Sequence, residues 1–345
     1  MKVAIVSSFV PFIYGGGRNI VEWLVPHLEA AGHQVDVIYL PFVETPDKIF
    51  PQLAAYRSID LTDDADVVIC IRVPAHVIQH PRKVLWFIHH LRFWYDLWDT
   101  PYRSFPETLP NLARREAIFA IDNKAFAEAH RIFTNSRIVG DRIRTFNGRE
   151  SEVLYPPVFE SERFHCAGAN DSIVYLARLE HHKRQHLLVE ALAKTKTGVR
   201  VTLAGTGSNR EYATYLRALA AELGVADRVD IDDRWITEDE KVTLLANCLA
   251  VAYLPLDEDS YGYPALEASH ASKAVLTTTD SGGVLELVVD GQNGFVTEPS
   301  PEALAEAMDR LHRDRAASEK LGVAAHERIG ELGITWSNVV SRLLE

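Results

Sequence analysis

Cysteine is scarce in this chain, and the arrangement of the few that exist excludes two architectures. Cys70, Cys166 and Cys248 are odd in number, far apart and in no C-x-x-C pair, so neither a disulfide framework nor a cysteine-ligated zinc site is expected. Long apolar runs are missing too, and nothing approaches the length of a membrane-spanning helix. The opening MKVAIVSSFVP passes from one lysine straight into patterned structure, without the longer apolar stretch and small-residue cleavage site of a signal peptide. The expectation is a cytoplasmic protein with reduced thiols. Positive charge is also in deficit. A net charge of −12 argues against a nucleic-acid partner.

That deficit is uneven: residues 1–165 sum to −2 and residues 166–345 to −10, while 103–149 alone carry a local +4. Just before this basic stretch lie Phe93, Trp94, Tyr95, Trp98 and Tyr102. A basic surface beside exposed aromatics suits an anionic membrane face or a lipid-linked acceptor, which makes peripheral contact at the inner membrane face through residues 93–149 one expectation. A solvated helix beside a core aromatic cluster accounts for the same pattern.

What the chain has in quantity is alternation. At 345 residues with 47% hydrophobic and 24% charged residues, it exceeds the size at which one core keeps growing, and two domains follow. KVAIVSSF reads as a buried strand leading through Gly15, Gly16 and Gly17 into the amphipathic segment 19–31, which stops at Gly32. QVDVIYL, ADVVICI, KVLWFIH and RIFTN add strands. After Tyr155-Pro156-Pro157 the pattern restarts with SIVYLAR, VRVTLAG, RVDID, LAVAYLP, AVLTT and GFVTE, separated by helical segments, and 301–345 is nearly all helical. The fold class is α/β, with two Rossmann-like doubly wound domains. Their limits are set at 1–158 and 171–328, with a linker at 159–170 and a C-terminal helix, 329–345, able to pack back on the first domain.

Open α/β sheets bind ligands beyond the carboxyl ends of their strands, and there the chemistry-bearing residues gather. Asp259 to Glu267 reads DSYGYPALE: two carboxylates around a turn that leads into a helix. Pro264 suits the first helical position, so the amides around Gly262, Tyr263, Ala265 and Leu266 are expected to face an anion. Glu267, placed in the first turn, can accept hydrogen bonds from a vicinal diol such as a ribose, and Asp259 can reach towards a hexose. An ordinary helix start with a stabilising acid explains the stretch equally well in isolation.

The second half resembles the GT-B glycosyltransferases of the large retaining family 4, the glycosyl transferases group 1. The resemblance rests on YLARLEHHK at 175–183, LAGTGS at 203–208, DSYGYPALEA at 259–268 and TDSGGVLELVVDGQNGFV at 279–296, in that order. The first half matches more loosely through its glycine loop, FIHHL, FTNS and LYPPV. The resemblance implies two domains facing across a cleft. It implies that Arg178 and Lys183 neutralise a donor diphosphate, one as a planar fork and the other as a mobile point charge, and that Glu267 holds the ribose. It also implies that Gly16 and Gly17 lie under the donor phosphates and that His89, rather than His90, supports the sugar.

Asp259 stands where the commoner pattern has Glu, with a reach shorter by about 1.5 Å. Gly205, Arg234, Trp235 and Ile236 are expected around the base, with Trp235 either stacking on it or packed in the core. Tyr261, Gly262, Tyr263 and Leu266 complete the donor set. Ser281, Gly282 and Gly283 read as a fold requirement, and His181 and His182 as exposed loop residues. Asp230-Ile231-Asp232 and Asp257-Glu258-Asp259 come with no further ligand at metal spacing, so no metal and no cofactor is expected.

The activity so implied is transfer, with retention, from a UDP- or GDP-type sugar to a hydroxyl of a glycan or lipid-linked acceptor, in cell-surface glycan or glycoconjugate synthesis. A GT-B epimerase, or a nucleotide-sugar-binding scaffold without activity, is the alternative.

Overall fold

A computed structural model describes residues 1–11, 16–100, 103–207, 210–258 and 260–345. The chain divides into two compact units, Met1–Pro156 with Ile334–Glu345, and Pro157–Gly333. The segment expected as a linker lies within the second unit, where Phe164 is buried.

Each unit is built on one six-stranded, all-parallel sheet. In the first, the strands are β1 (Lys2–Phe9), β2 (Gln34–Pro41), β3 (Val67–Cys70), β4 (Lys83–Phe87), β5 (Arg131–Thr134) and β6 (Glu152–Val153), in the order β2-β1-β3-β4-β5-β6. In the second they are β7 (Ser172–Leu176), β8 (Arg200–Ala204), β9 (Val229–Asp232), β10 (Ala250–Ala252), β11 (Val275–Thr278) and β12 (Gly294–Thr297), in the order β12-β11-β10-β7-β8-β9. Read from β9, the second sheet has the Rossmann order 3-2-1-4-5-6, whereas the first follows the flavodoxin-like 2-1-3-4-5 arrangement with one strand added. Both orders reverse direction once. The reversal falls between β1 and β3 in the first unit and between β7 and β10 in the second.

Helices cover the sheets because their apolar stripes have nowhere else to go. The strands β3 and β4 are buried along their whole length, Lys83 included. The Lys83 ammonium is tolerated because it donates to the carbonyls of His76 and Ala125, each at 2.9 Å, with Glu128 at 3.7 Å. Beside it, Asp122 ties His76 (2.8 Å) to the Tyr95 hydroxyl (2.6 Å). Trp94, Tyr95 and Trp98 are buried in the same core, and Arg103 and Arg115 stack over Trp98 at 4.8 Å. These aromatics therefore fill the interior of the first unit rather than forming a surface patch, and the basic residues beside them cover core rings; Tyr102 lies outside the described residues.

The final helix, Trp336–Leu344, belongs to the first unit. Trp336 stacks on His27 at 4.7 Å and meets Trp86 edge-on, Arg131 pairs with Glu345, and Arg82 donates to the Leu344 carbonyl. No helix among the described residues is long and apolar enough to cross a membrane.

Candidate active site at the strand ends of the second unit

The reversal between β7 and β10 concentrates the second unit's charges. After β7 the chain turns through Arg178 into the short 3-10 turn His181–Lys183 and then Arg184, whose φ of 56° lies in the left-handed region. That strained backbone is held by its own side chain. The Arg184 guanidinium forks onto Asp280 (both contacts 2.7 Å) and also reaches Thr278 and the Leu254 and Pro255 carbonyls. From the other side, the Tyr175 hydroxyl donates to the Lys183 carbonyl and accepts from the Leu254 amide at 2.9 Å.

Lys183 is thereby aimed at the segment after β10. Its ammonium donates to the Tyr253 hydroxyl at 2.9 Å and pairs with Glu258, which the same hydroxyl also reaches at 2.8 Å. The charge of Lys183 overcomes the effect of burial and holds the Glu258 carboxyl below its ordinary value. Arg178 is exposed, and among the described residues its guanidinium has no hydrogen-bond or carboxylate partner.

Two glycines permit this approach. Gly262 has φ 71°, and a Cβ there would sit 2.1 Å from the Tyr253 ring, so a side chain would displace the hydroxyl that bridges Lys183 and Glu258. Gly205, at φ 140°, brings the end of β8 against the Ala177 carbonyl, where a Cβ would come to 2.3 Å. Gly282 and Gly283 pack directly on Glu258 and Ser260, and Ser281 is buried against Thr278.

The helix carrying Glu267 differs from the expectation in two respects. It runs Tyr263–His270, with Pro264 second rather than first, and Glu267 is fifth, one residue beyond the first turn. The Ala265 and Leu266 amides already donate to the Gly262 carbonyl, at 3.2 and 3.3 Å, and the Gly262 amide donates to the Ser260 hydroxyl at 3.3 Å. These three groups are thus not a bare anion cradle. Leu266 and Tyr261 are core side chains.

Glu267 itself is buried, and Lys241 donates to it at 2.6 Å. Lys241 rides on the helix Glu238–Asn247, whose start is fixed by a capping box between Thr237 and Glu240; Glu238 holds its other side at 2.8 Å. Burial pushes the Glu267 carboxyl above its ordinary value, and Lys241 opposes that rise. A lysine twenty-six positions upstream on another helix has no signature in the sequence around Glu267. The sequence reading therefore missed Lys241, along with Glu258, Tyr253 and Arg184.

Around β9, Arg234 is 59% exposed between Asp232 and Glu240. Trp235 is 67% exposed, which removes the core-packing reading of that residue. His181 and His182 are exposed, the former against the Tyr212 ring. In the first unit, His89 is half-buried, its Nδ1 2.8 Å from the His90 carbonyl. His90 is a core residue: its Nε2 meets Asn147 at 2.9 Å, and burial lowers its pKa to about 4. Gly16 and Gly17 open the helix Gly16–Ala30. Asp259, Gly15 and Ser208 lie outside the described residues.

Comparison with known proteins gives matches of three kinds. Residues 164–328 match the family model "Glycosyl transferases group 1". The alpha-1,3/1,6-mannosyltransferase ALG2 of Homo sapiens is 25% identical over 311 residues, covering 81% of this chain and 72% of the human protein. That of Dictyostelium discoideum is 34% identical over 127 residues, or 37% of this chain; the chain thus spans under a third, 30%, of that protein's length. Among solved structures, Anabaena Alr3699/HepE in complex with UDP aligns with a TM-score of 0.76 at 18% identity, over 100% of this chain and 98% of that one. At that identity the likeness is one of fold.

Proposed function

We propose, from the premise that this chain belongs to the glycosyl transferases group 1 family and is a glycosyltransferase, that it moves a sugar with retention from a nucleoside diphosphate sugar to a hydroxyl of a glycan or lipid-linked acceptor, without a metal. The observation that carries this reading is the buried Glu267 carboxylate, held ready by Lys241 on the strand-end face that also presents Lys183 and Arg178. A carboxylate fixed in this way is built to accept two hydrogen bonds from a ribose diol.

Arg178, exposed and uncommitted, and Lys183 then neutralise the charge that develops on the departing diphosphate. Stabilisation of this kind is worth far more in a water-poor site than in solution. Lys183 reaches the diphosphate by sharing or leaving Glu258. The carboxylate so released adjoins Asp259, the residue assigned to the sugar. The departing phosphate takes the acceptor proton, and His89 supports the sugar by hydrogen bonding. Trp235, left in solvent, is available to stack on the base. The mannosyltransferase relatives and the UDP-bound structural neighbour agree with a nucleotide-sugar donor and a glycan-type acceptor.

Turnover of UDP-, GDP- and ADP-sugars, screened first by thermal shift with the nucleotides, tests the reading. Lys183→Ala is expected to lower kcat about 10²–10³-fold in a chain that still melts normally. A wild-type chain that binds a nucleotide yet never releases it from any sugar, with or without acceptor, refutes it.

A further inference from the structure

The reversal point of the first unit holds a cation that nothing in the proposed chemistry uses. Arg72 follows β3, and Gly17 follows β1, at the place where β1 and β3 part in opposite directions. The two are in contact: a Cβ on Gly17 would lie 3.1 Å from the Arg72 side-chain carbon Cδ and 3.4 Å from Nε. The guanidinium is half-buried, and among the described residues it has no hydrogen-bond or carboxylate partner. Other arginines of this unit are committed. Arg57 forks onto Glu128, Arg18 pairs with Glu22, and Arg92 with Asp96.

A second observation points to the same spot. At the end of β2, beside β1, the Tyr39 hydroxyl is buried with no hydrogen-bond partner among the described residues. Burial pushes this phenol up to about 12, while Arg72 and Arg18 act on it in the opposite sense and Glu22 in the same. Arg72 is held below its ordinary value by burial, with Glu44, Tyr56 and Tyr39 opposing. Glu44 is thus near enough to be felt, but it makes no ion pair with Arg72 within 4.0 Å. A buried cation and a buried O–H left unsatisfied each carry a cost that a folded protein ordinarily removes. Together they form a donor set without an acceptor.

We infer that Arg72 and Tyr39 form an oxyanion subsite in the first unit that takes a phosphate group. The planar fork of arginine matches phosphate oxygens in pairs, and a phenolic O–H completes a third contact. Ligands of doubly wound sheets bind at the reversal point, outside the carboxyl ends of the strands, where both residues lie. The phosphate belongs either to the acceptor or to the donor's diphosphate. This rests on the proposed function only for the source of the phosphate.

The direct test titrates inorganic phosphate and pyrophosphate calorimetrically into the full chain and into Arg72→Met, Arg72→Lys, Tyr39→Phe and Arg178→Met. Arg72→Met is expected to weaken phosphate binding at least about tenfold, Tyr39→Phe about threefold, and Arg72→Lys to recover part of the loss; each figure follows from charge-assisted hydrogen bonds of this type. In Arg178→Met the Arg72-dependent component persists. Equal phosphate affinity in wild type and a folded Arg72→Met overturns the assignment, as does soaked phosphate lying away from Arg72 in crystals. Should Arg72→Met fail to fold, Tyr39→Phe and the wild-type soak decide on the same terms.

In turnover assays, a rise in acceptor KM in Arg72→Met assigns the phosphate to the acceptor and a rise in donor KM to the donor. A rise in neither counts against the subsite. Phosphate bound at Arg72 in a chain that turns over no nucleotide sugar would sink the transferase reading and leave the subsite standing.

Discussion

The two reversal points treat charge differently. In the second unit almost every ionic group is matched: Lys183 with Glu258, Lys241 with Glu267, and Arg184 with Asp280. Arg178 alone is left open, and it is exposed. In the first unit the open arginine, Arg72, is half-buried and has no such scaffold around it. Matched pairs fix shape before a ligand arrives, and a ligand that enters must share or displace a partner. An unmatched cation costs the empty protein stability and returns it when an anion binds. The same α/β plan thus supplies one face pre-shaped for a sugar nucleotide and another that is short of a counterion.

Removing one member of a matched pair is where this contrast predicts the largest effect. Glu267→Ala leaves Lys241 buried against an empty partner and is expected to destabilise the second unit by about 3–5 kcal/mol, read from urea unfolding, together with loss of donor binding. A cost under about 1 kcal/mol would mean the pair is not matched in the sense argued here. Gly262→Ala is next, at about 1–3 kcal/mol for a side chain at positive φ. Because that Cβ strikes the Tyr253 ring, kcat is expected to fall with stability. An unchanged kcat would separate Tyr253 from the placing of Lys183.

The pH dependence sharpens the contrast further. The Glu267 carboxyl is raised by burial, so its ionised form costs stability, and that contribution is present at low pH and lost as pH rises through the raised value. Donor binding needs the carboxylate and runs the other way: donor KM is expected to rise as pH falls, with a midpoint above the ordinary carboxylate range. Lys241→Met moves the midpoint higher still. A KM profile that ignores Lys241 would leave that lysine a structural tie only.

Arg72→Met, by contrast, is expected to change stability by no more than about 0.5 kcal/mol, or to raise it, because an unmatched half-buried charge is removed. Trp235→Ala has the smallest effect on stability. At 67% exposure it should be silent in unfolding and visible only as a rise in donor KM of about tenfold, the scale of base stacking on an aromatic ring.

Much of the architecture was legible because strand signals are local. VVIC, KVLWF and SIVYL are apolar runs bounded by breaks, and each is a buried strand. The two-residue β6 carries no such pattern, and the difference in strand order between the units depends on pairing partners that no window of sequence contains. Similar limits applied at the site. Arg178, Lys183 and Glu267 stood out by spacing and resemblance, but the groups that hold them come from other elements: Lys241 from a separate helix, Tyr253 from the end of β10, Arg184 from a turn whose backbone is left-handed. The aromatics at 94–98 show the same ambiguity from the opposite direction. Adjacent rings beside arginines read equally as a membrane patch or a core, and only the packing of Trp98 beneath Arg103 and Arg115 decides for the core.

The return of the helix Trp336–Leu344 to the first unit makes that unit discontinuous in sequence while the second is continuous. Synthesis runs from the N-terminus, so residues 157–333 can close their sheet and core while the first unit still lacks the Trp336 ring that stacks on His27 and meets Trp86. The half that begins first is therefore the half that finishes last, and until it does, an apolar face around β4 and the helix Gly16–Ala30 waits in the open for its cover.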